Sequence, residues 1–291
     1  MLKDHAWVTL EAVFRQLPNS LSMHKAAMKF LSALVTGILS VLFFSPLYAS
    51  EKAIYFYGVE RLSDYEWQEK INQWKAQGIQ RAIVSLESGP KFLLGSAWME
   101  NRLAHMFSMA VLSGIHIEGM ILQDPLWVLR VSEARARVKE VLGFALRHPN
   151  TIDSLQIDVE PYTVPDLLDI TQVWKLYANL VSGLHEELEA QPGVLDLTAA
   201  VPWWLSQTLP DEDLAKIGKS IDKLMLMAYG DPGGIPVVPD METFKRKLYP
   251  AIMKLTLHAK GIQVGVATYE HKQTPSSLNQ FINQLIYSAP T

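Results

Sequence analysis

The chain has 291 residues, 49% of them hydrophobic and 19% charged, with a formal net charge of −4 and no cysteine. That composition excludes a disordered, collagen-like or coiled-coil protein. Without cysteine there is no disulfide, thiolate zinc site, iron–sulfur cluster, cysteine nucleophile or lipidated cysteine.

The first fifty residues stand apart from the fold. Lys29 precedes an uncharged stretch from Phe30 to Phe44, and Ser45-Pro46-Leu47-Tyr48-Ala49 follows it. A charged start, an apolar run, a proline and a small residue at the cut predict a signal peptide over residues 28–49 and an exported protein, periplasmic or secreted. The alternative is an uncleaved membrane anchor over residues 30–44, a little short of the roughly 17 residues that a spanning helix needs. Residues 1–27 form an upstream extension with no assigned role. Cleavage after Ala49 removes Lys3, Arg15, Lys25 and Lys29 against Asp4 and Glu11, so the remainder moves from −4 to about −6. This mild acidity argues against nucleic acid or an anionic membrane surface as partner, because phosphate binding relies on a basic face.

Seven short apolar, β-branched or aromatic runs organise residues 50–291: Ala53–Tyr57, Arg81–Leu86, Ile115–Leu122, Ser154–Val159, Leu195–Val201, Lys223–Tyr229 and Ile262–Tyr269. They read as strands. Between them lie helical stretches near 63–78, 97–113, 132–147, 168–190 and 241–260, with a last one near 276–287. The first opens on the capping box Ser63-Asp64-Tyr65-Glu66 and places Trp67, Ile71 and Trp74 on one face. Gly78, Gly114 and Gly261 each end a helix just before an isoleucine, which predicts left-handed turns into the next strand. Nearly continuous apolar strands, each followed by a helix, predict an α/β fold with a parallel sheet. Because Tyr57-Gly58-Val59-Glu60-Arg61 is not a phosphate-binding loop, a (β/α)8-type TIM barrel is expected over an open doubly wound sheet. Only seven βα units are recognisable, and no low-complexity linker divides residues 50–291 into further domains.

In such a barrel the chemistry sits at the carboxyl ends of the strands. Those positions hold Tyr57, Glu60, Glu87, Gln123, Asp124, Asp158, Glu160 and Tyr162, then Trp203 and Trp204, then Tyr229 and Asp231, then Glu270. Strand alternation puts Gln156, Asp158 and Glu160 on the inner side, while Leu155, Ile157 and Val159 pack beneath the helices. Two carboxylates so placed cannot both ionise cheaply, so one is expected to hold its proton as a general acid does. Trp203 and Trp204 offer apolar rings for the C–H faces of a sugar, although adjacent strand residues point opposite ways. The six histidines beyond residue 49 form no H-x-H or H-E-x-x-H pair, and neither G-x-S-x-G nor a phosphate loop occurs. No cofactor or metal is expected.

The segment Asp153-Ser154-Leu155-Gln156-Ile157-Asp158-Val159-Glu160 resembles the D-x-x-D-x-D-x-E strand-four signature of the chitinase-like family 18 glycoside hydrolases, with Gln156 in place of the second Asp. Met227-Ala228-Tyr229-Gly230-Asp231 is similar to that family's strand-six M-x-Y-D, with one extra glycine. The resemblance implies that Glu160 is the general acid, that Asp158 orients a substrate N-acetyl group, and that Tyr229 steadies the intermediate. It implies a polysaccharide or oligosaccharide substrate, N-acetylated in the family. Two alternatives stand beside it. A retaining barrel hydrolase of the four-seven type would pair Glu160 with Glu270. A glycan-binding barrel without catalysis is favoured by Gln156 and by the unseen eighth strand.

Overall fold

The computed structural model describes residues 51–164, 169–227, 246 and 249–265. Seven parallel strands form its sheet: β1 Ala53–Phe56, β2 Arg81–Ser85, β3 His116–Ile121, β4 Ser154–Ile157, β5 Asp196–Pro202, β6 Lys223–Met227 and β7 Ile262–Gly265. Their spatial order is their chain order, one to seven. A doubly wound sheet reverses direction at a switch point, whereas sequential order is that of a barrel, so this is an α/β curled half-barrel of the TIM type.

The helices are α1 Asp64–Ala76, α2 Ala97–Leu112, α3 Val131–Arg147, α4 Ile170–Glu189, α5 Leu205–Thr208, α6 Asp211–Ser220 and α7 Tyr249–Thr256. The expected capping box of α1 is present: the Glu66 amide donates to Ser63 Oγ at 3.3 Å, and the Ser63 amide donates to Glu66 Oε2 at 2.8 Å. Sequence periodicity overlooked α6, a ten-residue helix whose charged start, Asp211-Glu212-Asp213, leaves few buried residues to mark a stripe. Also unforeseen is the small antiparallel hairpin Glu87–Ser88 with Lys91–Phe92, inserted between β2 and α2. Gly78 and Gly114 take the left-handed conformation expected of them, with φ of 71° and 84°. Gly261 does not. It is closely packed instead, since a Cβ there would come 3.2 Å from Lys223 Cγ and 3.4 Å from the Asp222 carbonyl.

Two faces of the sheet bury different things. Outward residues such as Val84, Ile117, Leu155, Ile157, Leu197, Ala199 and Leu224 join the helices in one large apolar core. Inward residues Ala200, Met225 and Met227 form a separate small cluster, with Tyr55 and Tyr162 packed on it. Around these lie buried polar residues on the same inward positions, Arg81, Ser85, Glu118, Gln156 and Thr198. The α3–α4 pair is tied by Glu187, which receives Arg135 Nε at 2.5 Å and Lys139 Nζ at 3.1 Å.

Beneath β1 the core is aromatic. Trp67 is fully buried, meets Trp74 edge-on with centroids 5.2 Å apart, and donates its Nε1–H to the Met106 carbonyl at 2.6 Å. Replacing it by alanine opens a cavity and removes that hydrogen bond. Trp67→Ala is therefore expected to lose about 3 to 5 kcal/mol in urea unfolding, and Trp67→Phe clearly less.

Candidate functional site

The site grows from the end of β4. The ladder to β3 continues one step past the strand, with the Asp158 amide donating to the Ile121 carbonyl at 3.2 Å. Val159 stays in the outer core, so alternation turns Asp158 and Glu160 to the inner side. Glu160 then opens the single turn Pro161–Thr163, in which the Thr163 amide and hydroxyl both donate to the Glu160 carbonyl, at 3.0 and 2.7 Å. The turn sets where Glu160 leaves the strand.

Both carboxyl groups are partly buried, and both hold protons more tightly than usual. Burial, reinforced by the nearby Glu160 charge, pushes Asp158 up to about 6. Burial also raises Glu160, partly offset by a hydrogen bond with Tyr162. Asp158 thus keeps its proton to about pH 6, at the end of the sheet where barrel chemistry takes place.

Aromatic rings wall the pair. The Tyr162 ring meets Trp204 edge-on at 4.8 Å and lies 5.7 Å from Trp174, which in turn meets Tyr177 at 5.7 Å. Trp203 and Trp204 are only 6% and 7% exposed. They stand beside the site, with Trp204 packed among side chains of the Pro161–Thr163 turn and α4. The Tyr177 hydroxyl and Trp174 Nε1 are buried with no hydrogen-bond partner among the described residues. Burial, then the Asp158 charge, raises the Tyr177 phenol, so it stays protonated as a donor.

Gln156 and Asp153 lie deeper. Gln156 is fully buried, with its Nε2 donating to Glu118 Oε1 at 3.4 Å and its own Oε1 unpaired. Thr198 also donates to Glu118 Oε1. Burial raises the Glu118 carboxyl, against the opposing effects of Thr198 and Arg81. Asp153 sits at the opposite end of β4, about 16 Å along the strand from Asp158. It receives Arg81 Nη1 at 2.5 Å and His116 Nδ1 at 2.8 Å, and Arg81 also donates to Ser154 Oγ at 2.9 Å and Glu51 at 3.0 Å. Burial opposes the Asp153 charge, yet Arg81, Ser154 and His116 hold the carboxyl below its usual range. Asp153 therefore anchors the strand and is not gathered with Asp158 and Glu160. Glu118 and Arg81 were missed in the sequence, although Glu118 is the one acid in an apolar strand, at an inward position.

Other strand-end polar residues hold loops. Glu87 receives the Gln123 amide at 3.2 Å and Arg137 at 3.3 Å, and Gln123 Nε2 donates to Ser85 Oγ at 2.5 Å. Asp124 caps the turn after β3 and pairs with Arg130 at 2.6 Å. Tyr229, Asp231 and Glu270 lie outside the described residues, as do the expected signal peptide and the helix near 276–287.

No family model and no curated protein matches the chain. Solved structures do. An endo-1,4-beta-mannanase from Rhizomucor miehei superposes with a TM-score of 0.55 at 10% identity, covering 73% of this chain and 76% of the mannanase. A GH18 chitinase from Pseudoalteromonas aurantia gives 0.49 at 13% identity, over 80% of this chain and 100% of that one. A beta-galactosidase from the psychrophilic Marinomonas ef1 gives 0.45 at 11% identity over 62% of this chain, which spans 40% of that protein's length. At these identities the likeness establishes the barrel fold, which the mannanase shares.

The raised Asp158 carboxyl makes stability depend on pH. The folded state keeps this proton up to about pH 6 while the unfolded chain releases it near 4, so stability falls as pH rises through that window. Discounted for partial exposure, the loss is about 2 kcal/mol. Denaturant titrations at pH 4 and pH 7 should show it, and Asp158→Asn should remove most of the difference.

Proposed function

We propose that the chain is an exported glycoside hydrolase-like barrel that cleaves glycosidic bonds of a polysaccharide, with Glu160 as general acid and Asp158 as its partner. The observation that carries this reading is the desolvated Asp158/Glu160 pair at the carboxyl end of β4, both of whose carboxyl groups burial raises. The barrel fold held in common with a mannanase supports it.

In this mechanism the Glu160 carboxyl protonates the leaving-group oxygen as the C–O bond breaks. Asp158, ionised above about pH 6, stabilises as a carboxylate the positive charge that develops at the anomeric carbon. Water supplies the hydroxyl that replaces the leaving group and returns a proton to Glu160. With an N-acetylated substrate, Asp158 instead orients the acetamido group for attack on the same carbon, with Tyr229 as support. The Tyr162–Trp174–Trp204 cluster packs against the Pro161–Thr163 turn from the helix side and holds the turn that carries Glu160.

Gln156 favours a second reading, a barrel that binds glycans without cleaving them. Its amide cannot take the charge of the acid that the resemblance places there, and its Oε1 is unsatisfied.

Product release from N-acetylated and neutral glycans, followed by mass spectrometry with the full chain, separates the two. Cleavage is expected from the native chain and should fall about a thousandfold in Glu160→Gln, with binding retained. Its rate should rise as pH climbs through about 6, where Asp158 ionises, and decline once Glu160 gives up its own proton. Binding without products from the native protein would establish the binding barrel. A Glu270→Gln variant that loses turnover while Asp158→Asn keeps it would make Glu270 the partner.

A further inference from the structure

Tryptophan carries a large apolar surface that soluble proteins keep covered. The described tryptophans Trp67, Trp74, Trp127, Trp174, Trp203 and Trp204 obey this, each at most 7% exposed, whereas Trp98 is 69% exposed. Trp98 is the second residue of α2. A helix that returns from a parallel strand starts at the strands' carboxyl end, so Trp98 lies on the face that carries Asp158 and Glu160.

The ring is held in place. One turn along α2, the Arg102 guanidinium lies over the indole, 5.7 Å from its centroid. The same guanidinium donates to the Glu60 carbonyl at 2.9 Å and to the Leu62 carbonyl, which ties it to the loop between β1 and α1. A cation fixed by two main-chain oxygens stacks on the ring and limits its rotamers, while most of the indole stays in water. Tyr57, the residue after β1, is also exposed at this end. The strand that feeds α2 is β2, two places from β4 and therefore roughly 10 Å across the sheet. An oligosaccharide of a few units bridges such a span.

We propose that Trp98, supported by Arg102, is an aromatic platform that stacks a sugar ring of a bound glycan at a subsite remote from Asp158 and Glu160. The proposal rests on the glycan reading of the barrel and adds where a longer chain is gripped. It replaces Trp203 and Trp204 in the role of sugar platform, since their rings are spent on packing. The chemistry required of the ligand is an apolar face of axial C–H groups, as a pyranose presents.

Isothermal titration calorimetry on the full chain tests it, with Glu160→Gln as the parent to prevent turnover and β-1,4-linked N-acetylglucosamine and mannose oligomers of two to six units as probes. Adding Trp98→Ala should weaken the hexamer about tenfold and the dimer less than twofold, with Trp98→Phe restoring most of the loss. An equal effect at every length, no effect at any length, or no binding of either series to the parent overturns the platform. Failure of the catalytic reading is distinguishable: equal turnover by Glu160→Gln and the native chain would remove Glu160 as the acid, and a length-dependent Trp98→Ala loss would still stand.

Discussion

Everything at the candidate site depends on the register of β4. Its alternate residues belong to different environments: Leu155, Ile157 and Val159 enter the apolar core under the helices, and Ser154 and Gln156 enter the polar interior. A slip by one residue would bring Gln156 and Asp158 into that core and expel three aliphatic side chains from it. Parallel pairing to β3 and β5 resists the slip, and so does Arg81, whose fork holds Asp153 and Ser154 at the strand's start. With that start fixed, Asp158 and Glu160 emerge together on the inner side.

The burial that stabilises the sheet is also what raises the proton affinity of the pair. Asp158 and Glu160 are placed where water is partly displaced, and the cost appears as raised proton affinity. The interior below them repeats the theme at fuller burial. Glu118, Gln156 and Thr198 share one carboxyl group among three neighbouring strands, and Gln156 still lacks a partner for its oxygen. Such an incompletely satisfied network costs stability, which the sheet tolerates because the aliphatic outer face contributes far more.

Much of the architecture was legible because periodicity is local. The seven apolar runs become the seven strands, the first five with ends shifted by a residue or two and the last two followed as far as Met227 and Gly265, and the capping box of α1 forms as its residues require. The Asp158-x-Glu160 pair was legible for the same reason, since alternation alone fixes the side of a strand. What the sequence concealed is set by partners far along the chain. Trp204 is buried by Tyr162 and Trp174, and Arg81 is held by Asp153, seventy-two residues away. Asp153, read as part of the acid signature, is drawn to the other end of the strand's work by that arginine. Trp98 gave no signal because exposure of one indole on an amphipathic helix cannot be told from packing without the fold.

At the end of β4, Asp158 keeps to about pH 6 a proton that ordinary carboxylates have lost. Carboxyl-carbon NMR through a pH titration of selectively labelled protein, with Asp158 and Glu160 assigned from their Asn and Gln variants, measures this directly. Asp158 is expected to titrate near 6 and to move down when Glu160 is replaced by glutamine. Titration of both groups near 4, with neither responding to loss of the other, would contradict it.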